Sequence, residues 1–189
     1  MKQVVGRFGP RAVVWRYDPI LISSLTPASW HLENFSRLAE ALSGVTDEVV
    51  VSFTHVYAKT KRNLDAAAQA GDGFSWDDPS PEEKRDTLQQ LAHVSSTHGM
   101  RLTLCSQPDL LTDGVAAAAC IDAARLADLG GAHFKARQKG NRQGCLCAES
   151  RDIGAYDSCP HGCAYCYATR NQAAAKARFK AHDPAAEML

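Results

Sequence analysis

The chain has no surplus of charge of either sign: 21 Lys and Arg stand against 21 Asp and Glu, for a formal net charge of zero. No net field is available to draw in nucleic acid or an anionic membrane, so neither is an expected partner beyond a local basic patch. No apolar stretch approaches membrane-spanning length, and the opening residues MKQVVGRFGP contain no signal-type apolar core. The expected setting is therefore the cytoplasm, where thiols stay reduced. Repeats of fixed period and low-complexity tracts are also missing, which argues against a repeat architecture. What is there is 189 residues, 45% hydrophobic and 22% charged, the length of one ordinary domain with the make-up of a globular protein.

Read in order, the chain alternates strand and helix signals. Residues 11–22, RAVVWRYDPILI, form an apolar β-rich run, and Pro19 places the strand end near Trp15 or Arg16 because proline cannot donate to a central ladder. Thr26-Pro27 reads as a helix cap with proline at the first position, followed by Leu32, Phe35, Leu38, Ala39 and Leu42 at helical spacing and a stop at Gly44. EVVVSFT (48–54) reads as a strand covered on both faces. A polar helix is expected over 63–70 and a loop over 74–81. Ser80-Pro81-Glu82-Glu83 is a capping box opening a helix that runs to about His98. MRLTLC (100–105) is a third strand, and the alanine-rich 115–129 a further helix ended by Gly130-Gly131. This rhythm predicts an α/β fold with parallel strands, a partial (β/α) barrel over 1–131. Residues 132–189 form a second region, a cysteine-rich loop followed by a helix over 168–181.

Seven cysteines are present, five of them between Cys145 and Cys166. An odd number cannot all pair, so structural disulfides are not expected. Cys159, Cys163 and Cys166 are spaced C-x3-C-x2-C with Gly162 between them, so one short loop can wrap a metal cage. Three thiolates on a 4Fe–4S cluster leave one iron open to a small molecule. The competing reading is zinc, which takes four thiolates or thiolates with histidine, His161 included. Cys145 and Cys147 make a C-x-C pair too tight to chelate one zinc easily but workable on a cluster. Cys105 falls at a predicted strand end and Cys120 beside a helix start, where sites collect in α/β folds. These four would hold a second, closed iron–sulfur cluster, unless Cys105 and Cys120 are only small buried hydrophobes.

Arg16 and Asp18, just past the first strand, are candidate catalytic residues that would bind a carboxylate or orient a substrate group, unless they form only an ion pair. His55 follows the second strand as a candidate general base or a satisfied loop residue. Lys59, Lys135, Lys139 and Arg142 read as solvated charges.

The cysteine loop, with an aromatic residue (Tyr165) just before its last cysteine, resembles the cluster loop of the radical S-adenosylmethionine enzymes. That resemblance implies a 4Fe–4S cluster whose open iron holds S-adenosylmethionine for reductive cleavage to a carbon radical. Tyr165 would pack beside the cofactor, and a ferredoxin or flavodoxin would donate electrons. VVWRYDPI (13–20), VSFTHVYAKT (51–60), ACID (119–122) and the 145–168 pattern together resemble the bacterial family known as domain of unknown function 1848. Ser150, the Asp152-Ile153-Gly154 run, Tyr156 and the Tyr165-Cys166-Tyr167-Ala168 run carry the match. The resemblance implies that this chain corresponds to the family's C-terminal portion. In standard radical S-adenosylmethionine enzymes most of the barrel follows the cluster loop, whereas here only 23 residues follow Cys166. The alternatives are an electron-transfer or redox-sensing iron–sulfur module and a zinc-stabilised binding domain.

Overall fold

Glu48–Phe53 is buried at every position and is the strand about which the main sheet is laid. The computed structural model describes residues 1–132, 136–151, 154 and 156–186. Its helices are α1 (Lys2–Phe8), α2 (Ala28–Leu42), α3 (Ala58–Gln69), α4 (Pro81–Thr97), α5 (Ala123–Gly130) and α6 (Gln172–Ala181). Its strands are β1 (Trp15–Ile20), β2 (Ile22–Ser23), β3 (Glu48–Phe53), β4 (Trp76–Asp77), β5 (Arg101–Leu104) and β6 (Ala116–Ala117). Two compact units are present: Met1–Thr54 with Asp77–Ser150, and His55–Trp76 with Arg151–Leu189.

The first unit contains a four-stranded sheet in the order β1-β3-β5-β6, with every pair parallel. Strand alternation sorts its side chains onto two faces. Trp15, Val49, Val51, Phe53, Leu102 and Leu104 pack with Phe35 and Ala39 of α2 and Leu88, Leu91 and Ala92 of α4 in one core. Val50, Cys105 and Ala118 cluster separately on the opposite face, and the register places Arg16 beside Val50 and Thr103 beside Ala116 on that same face. The sheet therefore has a helix-covered side and a side that carries cysteine, arginine and threonine.

Glu48, at the entry of β3, is buried with its charge answered. Arg125 of α5 donates to Glu48 Oε2 (2.5 Å), to Asp47 Oδ1 (2.8 Å) and to the Arg11 carbonyl (2.6 Å), while Thr103 donates to Glu48 Oε1 (2.8 Å). Arg11 closes the network onto Asp47 and Asp128.

Several expectations are corrected here. The parallel α/β sheet stands, but among the described residues it is open, with β1 and β6 at its edges, and forms no closed barrel. β1 does not stop at Arg16 but runs through Pro19 to Ile20, with a shift in register between Tyr17 and Ile20. An edge position makes this possible, because an irregular edge tolerates the missing N–H. Thr26 does not cap α2: its hydroxyl donates to the Leu21 carbonyl at 2.7 Å, and the helix starts after Pro27 without a side-chain cap. The alanine-rich stretch is not one helix: Ala116–Ala117 adds to β5, and α5 begins only after Asp122, whose carboxylate accepts from the Ala124 and Arg125 amides. Pairing with an existing strand outweighs the weak helical preference of alanine there. Helix α4 begins with the expected box, the Ser80 hydroxyl accepting from the Glu83 amide and the Glu83 carboxylate from the Ser80 amide.

Candidate functional site

In a parallel sheet all strands finish at one edge, and residues just beyond them gather there. Cys105 follows β5 directly, its amide donating to the Val51 carbonyl at 2.9 Å. Cys120 lies just past β6. Their sulfurs stand 3.5 Å apart. Arg16 donates to the Cys120 sulfur at 2.9 Å through one nitrogen and to Asp18 Oδ2 at 2.5 Å through another. Arg142 donates to the Cys105 sulfur at 3.5 Å. The candidate catalytic pair Arg16 and Asp18 is thus an ion pair in contact with a cysteine.

These contacts act on ionisation. The hydrogen bond from Cys120, followed by those of Ser106 and Arg142, pulls the Cys105 thiol down to about 4 against the opposing effect of burial. The Cys120 thiol is pushed up, first by its bond to Cys105 and then by burial, with Arg16 opposing. The two sulfurs share one proton between them, the behaviour of a strongly coupled pair.

Cys145 and Cys147 reach the same edge on a narrow two-stranded excursion. Lys139 N–H donates to the Cys147 carbonyl (2.9 Å) and Glu149 N–H to the Arg137 carbonyl (2.8 Å), with Gln138 opposite Ala148. Ala148 N–H then donates to the Ile121 carbonyl at 2.9 Å, and Ile121 N–H donates to the Cys147 sulfur at 3.4 Å. Burial raises the Cys145 pKa, but the amides of Cys147 and Asn141 and the side chains of Cys147 and Ser106 bring it below the ordinary value. Ser106 holds a left-handed backbone (φ 55°), and its hydroxyl lies 3.6 Å from the Cys105 sulfur. Gly144 (φ +72°) permits the approach, since a Cβ there would sit 2.7 Å from Pro108 Cδ. The four cysteines expected to act together are therefore neighbours through Ser106 and Ile121. Among the described residues, no three or more His, Cys, Asp or Glu side chains are arranged to hold a metal ion.

The second unit carries the other three cysteines. Cys159 and Cys163 are exposed and Cys166 half-buried. Cys166 N–H donates to the Cys163 carbonyl at 3.0 Å, closing a turn, and Thr169 N–H donates to the Cys166 sulfur at 3.4 Å. Gly162 supplies φ +75° for the preceding bend. Burial raises the Cys166 pKa, but hydrogen bonds from Thr169 and Ala168 and the charge of Lys59 prevail, and the thiol falls below its ordinary value. Lys59 also donates to the Thr169 carbonyl. Tyr165 is pushed up by burial, by its bond to Cys163 and by the nearby thiolates. Two buried oxygens of this unit, Thr60 Oγ1 and Gln172 Oε1, have no hydrogen-bond partner. The Gln172 amide lies about the turn, 3.7 Å from where a Gly162 Cβ would be.

Of the other sequence candidates, His55 stacks on Tyr57 with ring centroids 5.8 Å apart. Lys139 pairs with Glu149 at 3.1 Å. Lys59 and Arg142, read as solvated charges, instead reach a loop carbonyl and a sulfur. Lys135 and the Asp152-Ile153 pair lie outside the described residues. Ser106 and Gln172 escaped the sequence reading, and no spacing marks them. No described helix is long and apolar enough to cross a membrane.

A protein-family model with the description Domain of unknown function (DUF1848) matches residues 1–168. No curated protein and no solved structure matches the chain.

Proposed function

The chain belongs to the DUF1848 family, and from that premise we propose that it is an iron–sulfur protein whose Cys159, Cys163 and Cys166 thiolates hold a 4Fe–4S cluster. The observation that carries the reading is the closed Cys163–Cys166 turn, with the Cys166 sulfur receiving an amide hydrogen bond beside Lys59. Cluster ligands are thiolates, and these neighbours favour the thiolate. The donor set fits: three thiols stand on one short loop, with two partnerless buried oxygens in the same unit.

When bound, such a cluster supplies one-electron chemistry, and an iron with no protein ligand is open to the amino and carboxylate groups of S-adenosylmethionine. The chain's own residues tune and orient. Thr169 N–H holds one sulfur, Lys59 lowers the cost of negative charge at it, and Tyr165 places a phenol at Cys163.

The experiment is anaerobic purification with iron, sulfide and zinc analysis, followed by EPR of the reduced protein with and without S-adenosylmethionine. Iron and sulfide with a spectrum that changes on addition support the whole reading. Iron with an indifferent spectrum retains the cluster and makes it an electron-transfer or sensing centre. Zinc without iron overturns the proposal. Cys163→Ala is expected to lose iron and any activity together, and a variant with full iron content would remove this loop as the ligand set.

A further inference from the structure

One pair among the first unit's cysteines has a geometry that neither inert packing nor a lone thiol explains. Cys105 and Cys120 bring their sulfurs within 3.5 Å from the ends of adjacent parallel strands. Each sulfur also faces its own guanidinium, Arg142 at 3.5 Å and Arg16 at 2.9 Å. Cys105 is 5% exposed, whereas Cys120 is exposed. A small buried hydrophobe accounts for Cys105 alone; it leaves an accessible sulfur between an arginine and a second thiol without a role. An accessible thiol backed by a buried one, with positive charge on both, is the layout needed to attack a disulfide and then release the adduct.

We propose that Cys105 and Cys120 form a redox-active dithiol that exchanges with low-molecular-weight disulfides, Cys120 attacking and Cys105 resolving. In the first step the Cys120 sulfur forms a bond to one sulfur of the small disulfide, whose S–S bond breaks and releases one thiolate. In the second, the Cys105 sulfur attacks the Cys120 sulfur; a Cys105–Cys120 bond forms and the second small thiolate leaves. The two protein thiols lose two electrons, the small disulfide gains them, and the two thiol protons pass to the released thiolates. Arg16 and Arg142 stabilise the sulfur anions at each stage. The inference is independent of the cluster on the other unit.

The test treats the full-length protein anaerobically with glutathione disulfide, alkylates free thiols, and maps the peptides by mass spectrometry before and after dithiothreitol. The expected result is a peptide pair linked through Cys105 and Cys120 that dithiothreitol separates. Cys105→Ser is expected to accumulate a lasting glutathione adduct on Cys120, because the resolving thiol is gone. Alkylation of both residues after oxidation overturns the proposal, as does a stable adduct on wild-type Cys120. So does metal that co-purifies with the wild type and is lost equally from Cys105→Ser and Cys120→Ser, since both are then ligands of a second metal centre. Should Cys105→Ser fail to fold, the wild-type linkage decides alone. The peptide map reads only these two cysteines, so iron content at Cys159, Cys163 and Cys166 does not enter the result.

Discussion

His31 on α2 is buried beneath Tyr17 with both ring nitrogens engaged. Nε2 meets the Leu21 carbonyl at 3.0 Å, so it carries the proton, and Nδ1 accepts from the Tyr17 hydroxyl at 2.9 Å. Burial lowers its pKa, with the Leu21 carbonyl opposing. In the folded chain the imidazole thus binds its second proton less readily than when unfolded. Stability from this residue is fully present above the unfolded value of about 6.5 and is lost as pH falls through the lower folded value. Thermal melts of wild type and His31→Gln from neutral pH downward should show a fall below about pH 6.5 that is smaller in the variant. Equal slopes in the two proteins would show that other groups set the acid sensitivity.

The helices divide by how local their causes are. Everything that starts α4 lies within four residues, Ser80 to Glu83, and the sequence displays it. Ser80→Ala removes the acceptor for the Glu83 amide and should cost about 1 kcal/mol in urea unfolding. An unchanged midpoint would mean that water replaces the hydroxyl without loss. The strand β3 was equally legible, because a continuous apolar run needs cover on both faces wherever it goes. The stretch 115–129 was not. Its alanines favour a helix weakly, and what overrides them is the partnership of Ala116 and Ala117 with Thr103 and Leu104, distant in the chain. The candidate site divides in the same way. Cysteine spacing exposed all seven thiols, and Arg16 with Asp18 stood out at a strand end. The residues that act on those sulfurs come from far along the chain: Arg142 lies 37 positions from Cys105, and Lys59 lies 110 from Thr169. No local pattern announces such pairs, so both read as ordinary surface charges.

At the scale of the molecule, the first unit's open sheet is held by apolar packing on its helix side and by an ionic knot where β3 begins. Side chains of Arg125 and Glu48 are both nearly inaccessible, at 8% and 6% exposure. Burial alone would lower the Arg125 pKa, but Asp47 and Glu48 more than offset it, and the guanidinium stays charged. Removing it strands a buried carboxylate, which costs far more than the intact pair contributes. Arg125→Ala should destabilise the protein by about 3–5 kcal/mol in equilibrium unfolding, and adding Glu48→Gln should recover part of the loss. A single variant within about 0.5 kcal/mol of wild type would show that water reaches Glu48 and that the knot is peripheral.

The same knot sets an order of events during synthesis. It draws on Arg11, Asp47, Glu48, Thr103, Arg125 and Asp128, so its cation arrives on the ribosome long after its anions. A nascent chain that has exposed β1, β3 and β5 but not α5 must leave Glu48 hydrated, with the entry of β3 unsealed. The sheet can condense early from its valines and leucines, yet its lower rim stays wet until translation has passed Arg125. For this unit, folding is completed from the C-terminal side, and a stalled or prematurely terminated product lacking α5 presents that rim to proteases.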